Sequence, residues 1–239
     1  MGAPKGPPPP APDEALALWK KAHGSPLPGV RGAGDAYRLL ATSLVYPGGW
    51  VKVFRNRIRL PNGFETEHEI AMPHDAVSIV PVLEETPGRP EVLLVEQFRS
   101  TLEGYIHEIP AGLLNPGEAP ADCARRELLE ETGYEAGSVE PIATIHPTPG
   151  FALERMHYFL AEGLRLAADQ SLDPGECIRV VRLPLLPLLE SMITGRSFPG
   201  IPAIVDGKTC VGIFYLGVRR SLGYRSSPRE AEGGSGRSP

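Results

Sequence analysis

Residues 112–134 read GLLNPGEAPADCARRELLEETGY, and the rest of the chain is organised around this stretch. Pro120 stands where a helix would begin and Gly133 just past where it would end, the usual asymmetry of helix punctuation. Ala, Leu, Arg and Glu dominate between them, so the intrinsic preference is helical and the spacing predicts a helix of about a dozen residues. Glu127, Glu130 and Glu131 are related as i, i+3 and i+4, which brings all three carboxylates out on one face. Like charges at that spacing repel, so the face is costly unless a cation occupies it. Carboxylate oxygens are hard donors and favour Mg2+ or Mn2+ over Zn2+, which prefers His or Cys.

A bare E-x-x-E-E run usually reads as a solvated acidic face, here salt-bridged to Arg125 and Arg126. What lies outside the run argues for more. Gly112 and Glu118 precede the helix at fixed distances and Gly133 closes it. Gly112 is expected to end a strand and let the loop turn toward the cation, with Gly117 and Gly133 supplying backbone freedom at the two ends of the loop and helix.

Working outward, VSIVPVL from Val77 and EVLLVEQF from Glu91 read as buried strands joined by a Pro-Gly connection. Beyond the helix, strands are expected near Ile142 to Ile145, at Met156 to Ala161 and at IRVVRL from Ile178, then helices at Leu185 to Thr194 and around Val211 to Ser221. Upstream, Tyr37 to Ala71 carries alternating stretches, WVKVF and RIRL, with Pro61-Asn62-Gly63 as a turn, which predicts a small antiparallel sheet. Such a sheet is too small to stand alone and must pack on the main domain or on a second subunit. Strands flanking helices in this order predict an α/β (α+β) fold, a sandwich rather than a doubly wound sheet. The domain plan is then a disordered Pro/Gly-rich leader over 1–36, the small sheet over 37–74, the main domain over 75–224 and a disordered tail over 225–239. A short helix from Asp13 to Ala22 fits within the leader, but the leader and the tail are excluded from the fold.

With 239 residues and 41% hydrophobic content the chain can bury a full core. A net charge of −5 without a basic stripe argues against nucleic acid as a partner. Cys123, Cys177 and Cys210 are far apart and odd in number, which points to a reducing compartment, hence the cytoplasm, with neither a disulfide framework nor a zinc site. No run of about 18 apolar residues is present to span a membrane, and the N-terminus has no apolar signal region. The histidines are scattered without H-E-x-x-H spacing.

The opening stretch fits G-x5-E-x7-R-E-U-x-E-E-x-G-U, where U is a bulky aliphatic, through Gly112, Glu118, Arg126, Glu127, Leu128, Glu130, Glu131 and Gly133, with Tyr134 replacing the usual Ile, Leu or Val. It therefore resembles the signature of the Nudix hydrolases. HEIPAG at 107–112, VEQFR at 95–99 and Pro149, sixteen residues after Gly133, make the chain from Tyr37 to Tyr224 similar to the branch that splits ADP-ribose and other nucleoside diphosphate sugars. The resemblance implies a Nudix α/β/α sandwich and a homodimer in which the N-terminal sheet is swapped. It also implies a small-molecule nucleotide sugar as substrate, with Mg2+ or Mn2+ as cofactor.

Position by position, the resemblance makes the Ala111 carbonyl, Glu127 and Glu131 metal ligands, with Glu130 beside them. It makes Glu176, in the turn Pro174-Gly175-Glu176, a mobile-loop glutamate that binds metal or activates water; the general base is then Glu176 first and Glu130 second. Arg99, Leu113, Thr148, Pro149, Gly150 and Glu154 match substrate-contacting positions, and Trp50 is a candidate for stacking on the base. Taken alone, Arg99 reads equally as a strand-end surface arginine, Glu176 as a turn residue, Glu154 as a partner of Arg155, and Trp50 as a core aromatic. No arginine occurs between Asn62 and Arg89, where bacterial ADP-ribose hydrolases often carry them. FETEHEIAMPHDAV and GECIRVVRLPL also look like UDP-sugar hydrolases, so UDP-glucose and GDP-mannose stay open. A non-catalytic nucleotide-sugar binding module usually lacks a motif carboxylate, and RNA decapping wants a basic groove.

Overall fold

The computed structural model describes residues 11–23, 27, 30 and 37–223. The chain enters through helix α1 (Pro12–His23) and then forms strands β1 (Arg38–Pro47), β2 (Val51–Arg59) and β3 (Glu65–Pro73), which pair antiparallel in that order. At the foreseen Pro61-Asn62-Gly63 turn, Gly63 adopts φ 83° and Leu60 exchanges backbone hydrogen bonds with Gly63 and Phe64. That left-handed conformation suits glycine.

The main domain runs β4 (Ala76–Leu83), β5 (Glu91–Arg99), β6 (Gly104–Glu108), β7 (Ala111–Leu113), α2 (Pro120–Thr132), β8 (Tyr134–Glu135), β9 (Ser138–Ile145), β10 (Met156–Glu162), β11 (Arg165–Leu166), β12 (Ile178–Pro184), α3 (Leu185–Thr194) and α4 (Gly207–Ser221). Its sheet has the order β12-β5-β4-β10-β9, with β6 on β5 and β7 on β4. The β4–β10 pair is parallel and its neighbours are antiparallel. Both faces of β4 are covered, which explains why VSIVPVL is apolar but for Ser78, whose hydroxyl is satisfied by Met156 Sδ. Val77 and Ile79 pack with Cys123, Ala124 and Leu128 of α2. On the opposite face Ala76, Val80 and Val82 pack with Leu185 and Leu188 of α3 and with Ile213 and Leu216 of α4. The result is the expected α/β/α sandwich.

Two boundaries differ from expectation. β9 begins at Ser138 rather than near Ile142, and α4 begins at Gly207 rather than Val211. The helix starts early because Asp206 caps it, accepting from the Thr209 amide at 2.9 Å. Gly212 then allows close packing, since a Cβ there would lie 2.8 Å from Val80 and 3.0 Å from Ile109.

The larger correction concerns the leader, whose segment Pro12–His23 is part of the fold. Ala15 and Trp19 of α1 are buried against Leu44 and Phe54, with Ile70, Met72 and Leu153 around them. The Trp19 and Phe54 rings stand 5.5 Å apart at a tilt of 57°. The short helix expected from Asp13 to Ala22 is present, and leader composition concealed that two apolar residues four apart on one face bury it. The expected tail from Arg225 and the rest of the leader, apart from Leu27 and Val30, lie outside the described residues. Trp19→Ala should lower stability by about 3 kcal/mol in chemical denaturation; an unchanged midpoint would show that α1 is not integral to the fold.

Candidate active site

Helix α2 presents the site. Pro120 opens it and Gly133 closes it in the left-handed region at φ 75°, its amide bonding to the Leu129 carbonyl. A Cβ on Gly133 would also lie 2.3 Å from the Ala168 carbonyl oxygen, so both space and conformation demand glycine. The buried side of α2 carries Cys123, Ala124 and Leu128, and Glu131 follows on the same buried side at 3% exposure. Its Oε2 accepts from the Ala111 amide at 3.2 Å.

Gly112 does something other than the expected strand ending. It lies within β7, outside the left-handed region. A Cβ there would fall 1.9 Å from Glu127 Cδ and 2.0 Å from its Oε1. The missing side chain is the cradle in which the Glu127 carboxylate sits. Gly117, by contrast, has the expected positive φ, 80°.

Arg126 ties the acidic face together. Its Nε and Nη2 donate to the two oxygens of Glu118 at 2.8 and 2.9 Å, and its Nη1 donates to Glu127 and Glu130 at 2.8 and 2.9 Å. Nη2 also reaches the Leu113 carbonyl at 3.2 Å. The fork holds the Glu118 carboxyl down at about 2. Arg125, the other arginine expected on this face, turns instead to the Ala136 carbonyl at 3.4 Å.

Burial pushes the Glu131 carboxyl up to about 8, reinforced by the charges of Glu127 and Glu176 and opposed by the Ala111 amide and Lys208. Glu127 is also raised, first by burial and opposed by Arg126, with Glu130 and Glu176 adding to the rise. Glu176 is thus close enough for both carboxylates to feel its charge, although its Oε2 accepts from the Asp173 amide at 3.1 Å within its own turn. Among the described residues no three His, Cys, Asp or Glu side chains converge as a ready cation sphere. The reason is geometric: Glu127 and Glu130 are turned to Arg126. Glu127 on the Gly112 cradle and Glu131 against the Ala111 amide are hard oxygen donors, a chemistry that suits a divalent cation.

Arg99, at the end of β5, is more than a surface arginine. It forks onto Glu108, a residue only 3% exposed, with Nε at 2.9 Å and Nη2 closing the pair. Leu113 packs its side chain toward the α3/α4 core. Thr148, Pro149 and Gly150 form an exposed turn in which the Thr148 carbonyl accepts from the Phe151 and Ala152 amides at 3.2 and 2.9 Å. Glu154 is half-buried; burial and Asp75 raise its carboxyl, and Lys208 opposes them. Its expected alternative partner Arg155 pairs with Asp75 at 2.6 Å instead. Trp50 is 78% exposed in the turn between β1 and β2, so it is not core, and among the described residues it stacks on no other ring.

Sequence reading missed Glu108, Asp206, Lys208 and Thr209. Lys208 Nζ forms an ion pair with Glu108 at 2.7 Å and donates to Asp206 at 3.0 Å, while the Ile109 amide donates to Thr209 Oγ1 at 2.9 Å. The string VDGKT did carry a signal, a capping Asp three residues before Thr209, but Gly207 in the first turn obscured the helix.

The NUDIX domain family matches residues 72–198. The chain belongs to this family. An ADP-ribose pyrophosphatase of Bacillus subtilis (strain 168) is 34% identical over 186 residues, covering 77% of this chain and 95% of the relative. A GDP-mannose pyrophosphatase of Yersinia enterocolitica is 37% identical over 142 residues, 55% of this chain and 69% of the relative. The crystal structure of an ADP compounds hydrolase superposes with a TM-score of 0.67 at 21% identity, covering 82% of this chain and 100% of that one, a likeness that speaks for the fold. The chain is a Nudix hydrolase.

The Gly112 cradle predicts a split between stability and activity in this Nudix hydrolase. Gly112→Ala should change the unfolding free energy by less than about 1 kcal/mol, because a flexible carboxylate can move aside. Hydrolase activity should fall by tenfold or more because Glu127 leaves its seat; wild-type turnover in the variant would refute the cradle's role.

Glu131 predicts a pH dependence. It holds its proton more tightly when folded, so its contribution to stability is full below about pH 4 and is lost as pH rises through about 8. With chelator present, the thermal midpoint should fall between about pH 5 and pH 8, and Glu131→Gln should flatten that fall. An equal slope in the variant would exclude Glu131 as its source.

Proposed function

We propose that this chain hydrolyses the pyrophosphate bond of ADP-ribose or a closely related nucleoside diphosphate sugar, giving a nucleoside monophosphate and a sugar phosphate, with Mg2+ or Mn2+ required. The observation that carries this reading is the pair of desolvated carboxylates, Glu127 seated on Gly112 and Glu131 buried against Ala111. Such a pair is relieved by a hard cation. The name of the Bacillus subtilis relative supports ADP-ribose. The Yersinia relative favours GDP-mannose as a second reading.

In this reading Glu127, Glu131 and the Ala111 carbonyl hold the cation, with Glu130 and Glu176 beside them. When bound, the cation neutralises phosphate charge and lowers the pKa of the attacking water. The chain's residues do the rest. Arg126 keeps Glu127 and Glu130 aligned on α2. Glu176 accepts the proton of the water, with Glu130 as the next candidate. Arg99 offers its planar fork to a phosphate, while Leu113, Thr148, Pro149, Gly150 and Glu154 border the sugar. The exposed Trp50 and the apolar Tyr46 and Phe64 on the small sheet suit a homodimer built through residues 37–74, in which Trp50 stacks on a base. No described helix is long and apolar enough to cross a membrane; all three cysteines are free thiols, in keeping with a cytoplasmic enzyme.

The test is a panel of ADP-ribose, UDP-glucose and GDP-mannose with Mg2+ and product identification. ADP-ribose should give AMP and ribose 5-phosphate fastest, and Glu176→Gln should lower kcat by about a hundredfold or more with KM little changed. If no diphosphate is cleaved, or if Glu131→Gln leaves turnover untouched, the reading fails.

A further inference from the structure

The cleft holds a cation pair that the reading above uses only in part. Of the cations around α2, Arg126 has its donors committed to Glu118, Glu127, Glu130 and the Leu113 carbonyl. Arg99 spends Nε and Nη2 on Glu108, and its Nη1 makes no hydrogen bond among the described residues. Lys208 has three donors; it gives one to Asp206 and is ion-paired with Glu108. Arg99 and Lys208 thus keep donors to spare.

Their placement is fixed from several sides. Glu108 is the innermost member of the group at 3% side-chain exposure, Lys208 stands at 14% and Arg99 is outermost at 39%. Asp206 is occupied by the Thr209 amide and hydroxyl as well as by Lys208. The Ile109 amide bonds to Thr209, and two residues on the Ala111 amide bonds to Glu131. One short backbone run therefore joins the start of α4 to the acidic face of α2. Both cations interact with Glu131, and Lys208 also interacts with Glu154. The other lysines of the chain are Lys5, Lys20, Lys21 and Lys52. After residue 52 every other fixed cation is an arginine, and this one compact ammonium sits nearly buried at the cleft. A compact ammonium binds phosphate as a point charge beside a planar fork.

We propose that Lys208, set beside Arg99 by the buried Glu108 carboxylate, forms a phosphate subsite facing the acidic side of the cleft. It rests on the diphosphate reading for its natural ligand. Glu108 is the positioning residue, since it holds both cations through its two oxygens. The acidic side takes one phosphate through its cation, and Arg99 with Lys208 takes the other.

The probe is inorganic pyrophosphate, titrated calorimetrically into the full chain with chelator present, so that neither turnover nor a nucleotide is required. Wild type should bind, Lys208→Gln should bind about tenfold more weakly, and Lys208→Arg should stay within about threefold of wild type. Lys208→Gln should fold, because Glu108 keeps the Arg99 fork and Asp206 keeps Thr209; its thermal midpoint checks this. A second measurement needs no loss of charge. In wild-type protein with 13C-labelled lysines, the Lys208 side-chain signal, assigned by its absence in Lys208→Arg, should shift on adding pyrophosphate. Wild-type affinity in a folded Lys208→Gln, no binding by wild type, or an unmoved Lys208 signal each overturns the subsite. If pyrophosphate binds through Lys208 yet no nucleotide sugar is cleaved, the substrate reading falls and the subsite stands.

Discussion

Mutual repulsion among the carboxylates of α2 is the constraint around which this structure is arranged. Glu127 and Glu131 are one helical turn apart and both withdrawn from water, a placement that continuum electrostatics penalises unless charge and hydrogen bonds compensate. Arg126 supplies the charge for Glu118, Glu127 and Glu130, and the Ala111 amide supplies the hydrogen bond for Glu131. The pairs are partly buried, with Glu118 and Glu127 at 15% and 12% side-chain exposure, so solvent weakens them less than it would an ordinary surface pair. The same burial raises the proton affinity of the carboxylate nearest Ala111.

The sheet explains how distant parts of the chain meet at that face. β4 is buried on both sides and serves as the partition on which α2 and α4 pack from opposite faces. β7 lies along one edge of β4 and β6 pairs with β5, so residues 108–111 cross from one strand neighbour to the other. That crossing places Glu108 by α4 and Ala111 by α2. Small residues make the contacts close: Gly212 beneath Val80 on one side and Gly112 under Glu127 on the other.

Much of this was legible in the residues. Pro120, Gly133 and the glutamate spacing predicted α2 to the residue, because local punctuation and helical periodicity agree there. VSIVPVL and IRVVRL were equally clear as strands, the first largely apolar because both its faces are buried and the second rich in β-branched residues between exposed arginines. The purpose of Gly112 was not legible, since a close approach by a side chain fifteen positions later leaves no local trace. Nor was the Arg99–Glu108–Lys208 group, whose members are brought together only by tertiary packing; an Asp-Gly-Lys-Thr string looks like a loop until Asp206 is seen to cap α4. Helix α1 was foreseen as an element, but its packing was not, because its proline-rich surroundings hid that Ala15 and Trp19 are buried.

The edge of β3 reaches the segment that follows the Thr148 turn. Ala71 accepts from the Leu153 amide and donates to the Phe151 carbonyl, both at 2.8 Å, while Leu153 joins the apolar cluster under α1. The segment bearing Pro149, Gly150 and Glu154 is therefore stitched to the small sheet, whereas Glu127 and Glu131 are anchored on the main one. The Pro149–Glu154 segment and the acidic face of α2 thus rest on two separate sheets. Sequence drift in the N-terminal sheet can therefore shift the Pro149–Glu154 segment while the carboxylates of α2 keep their places.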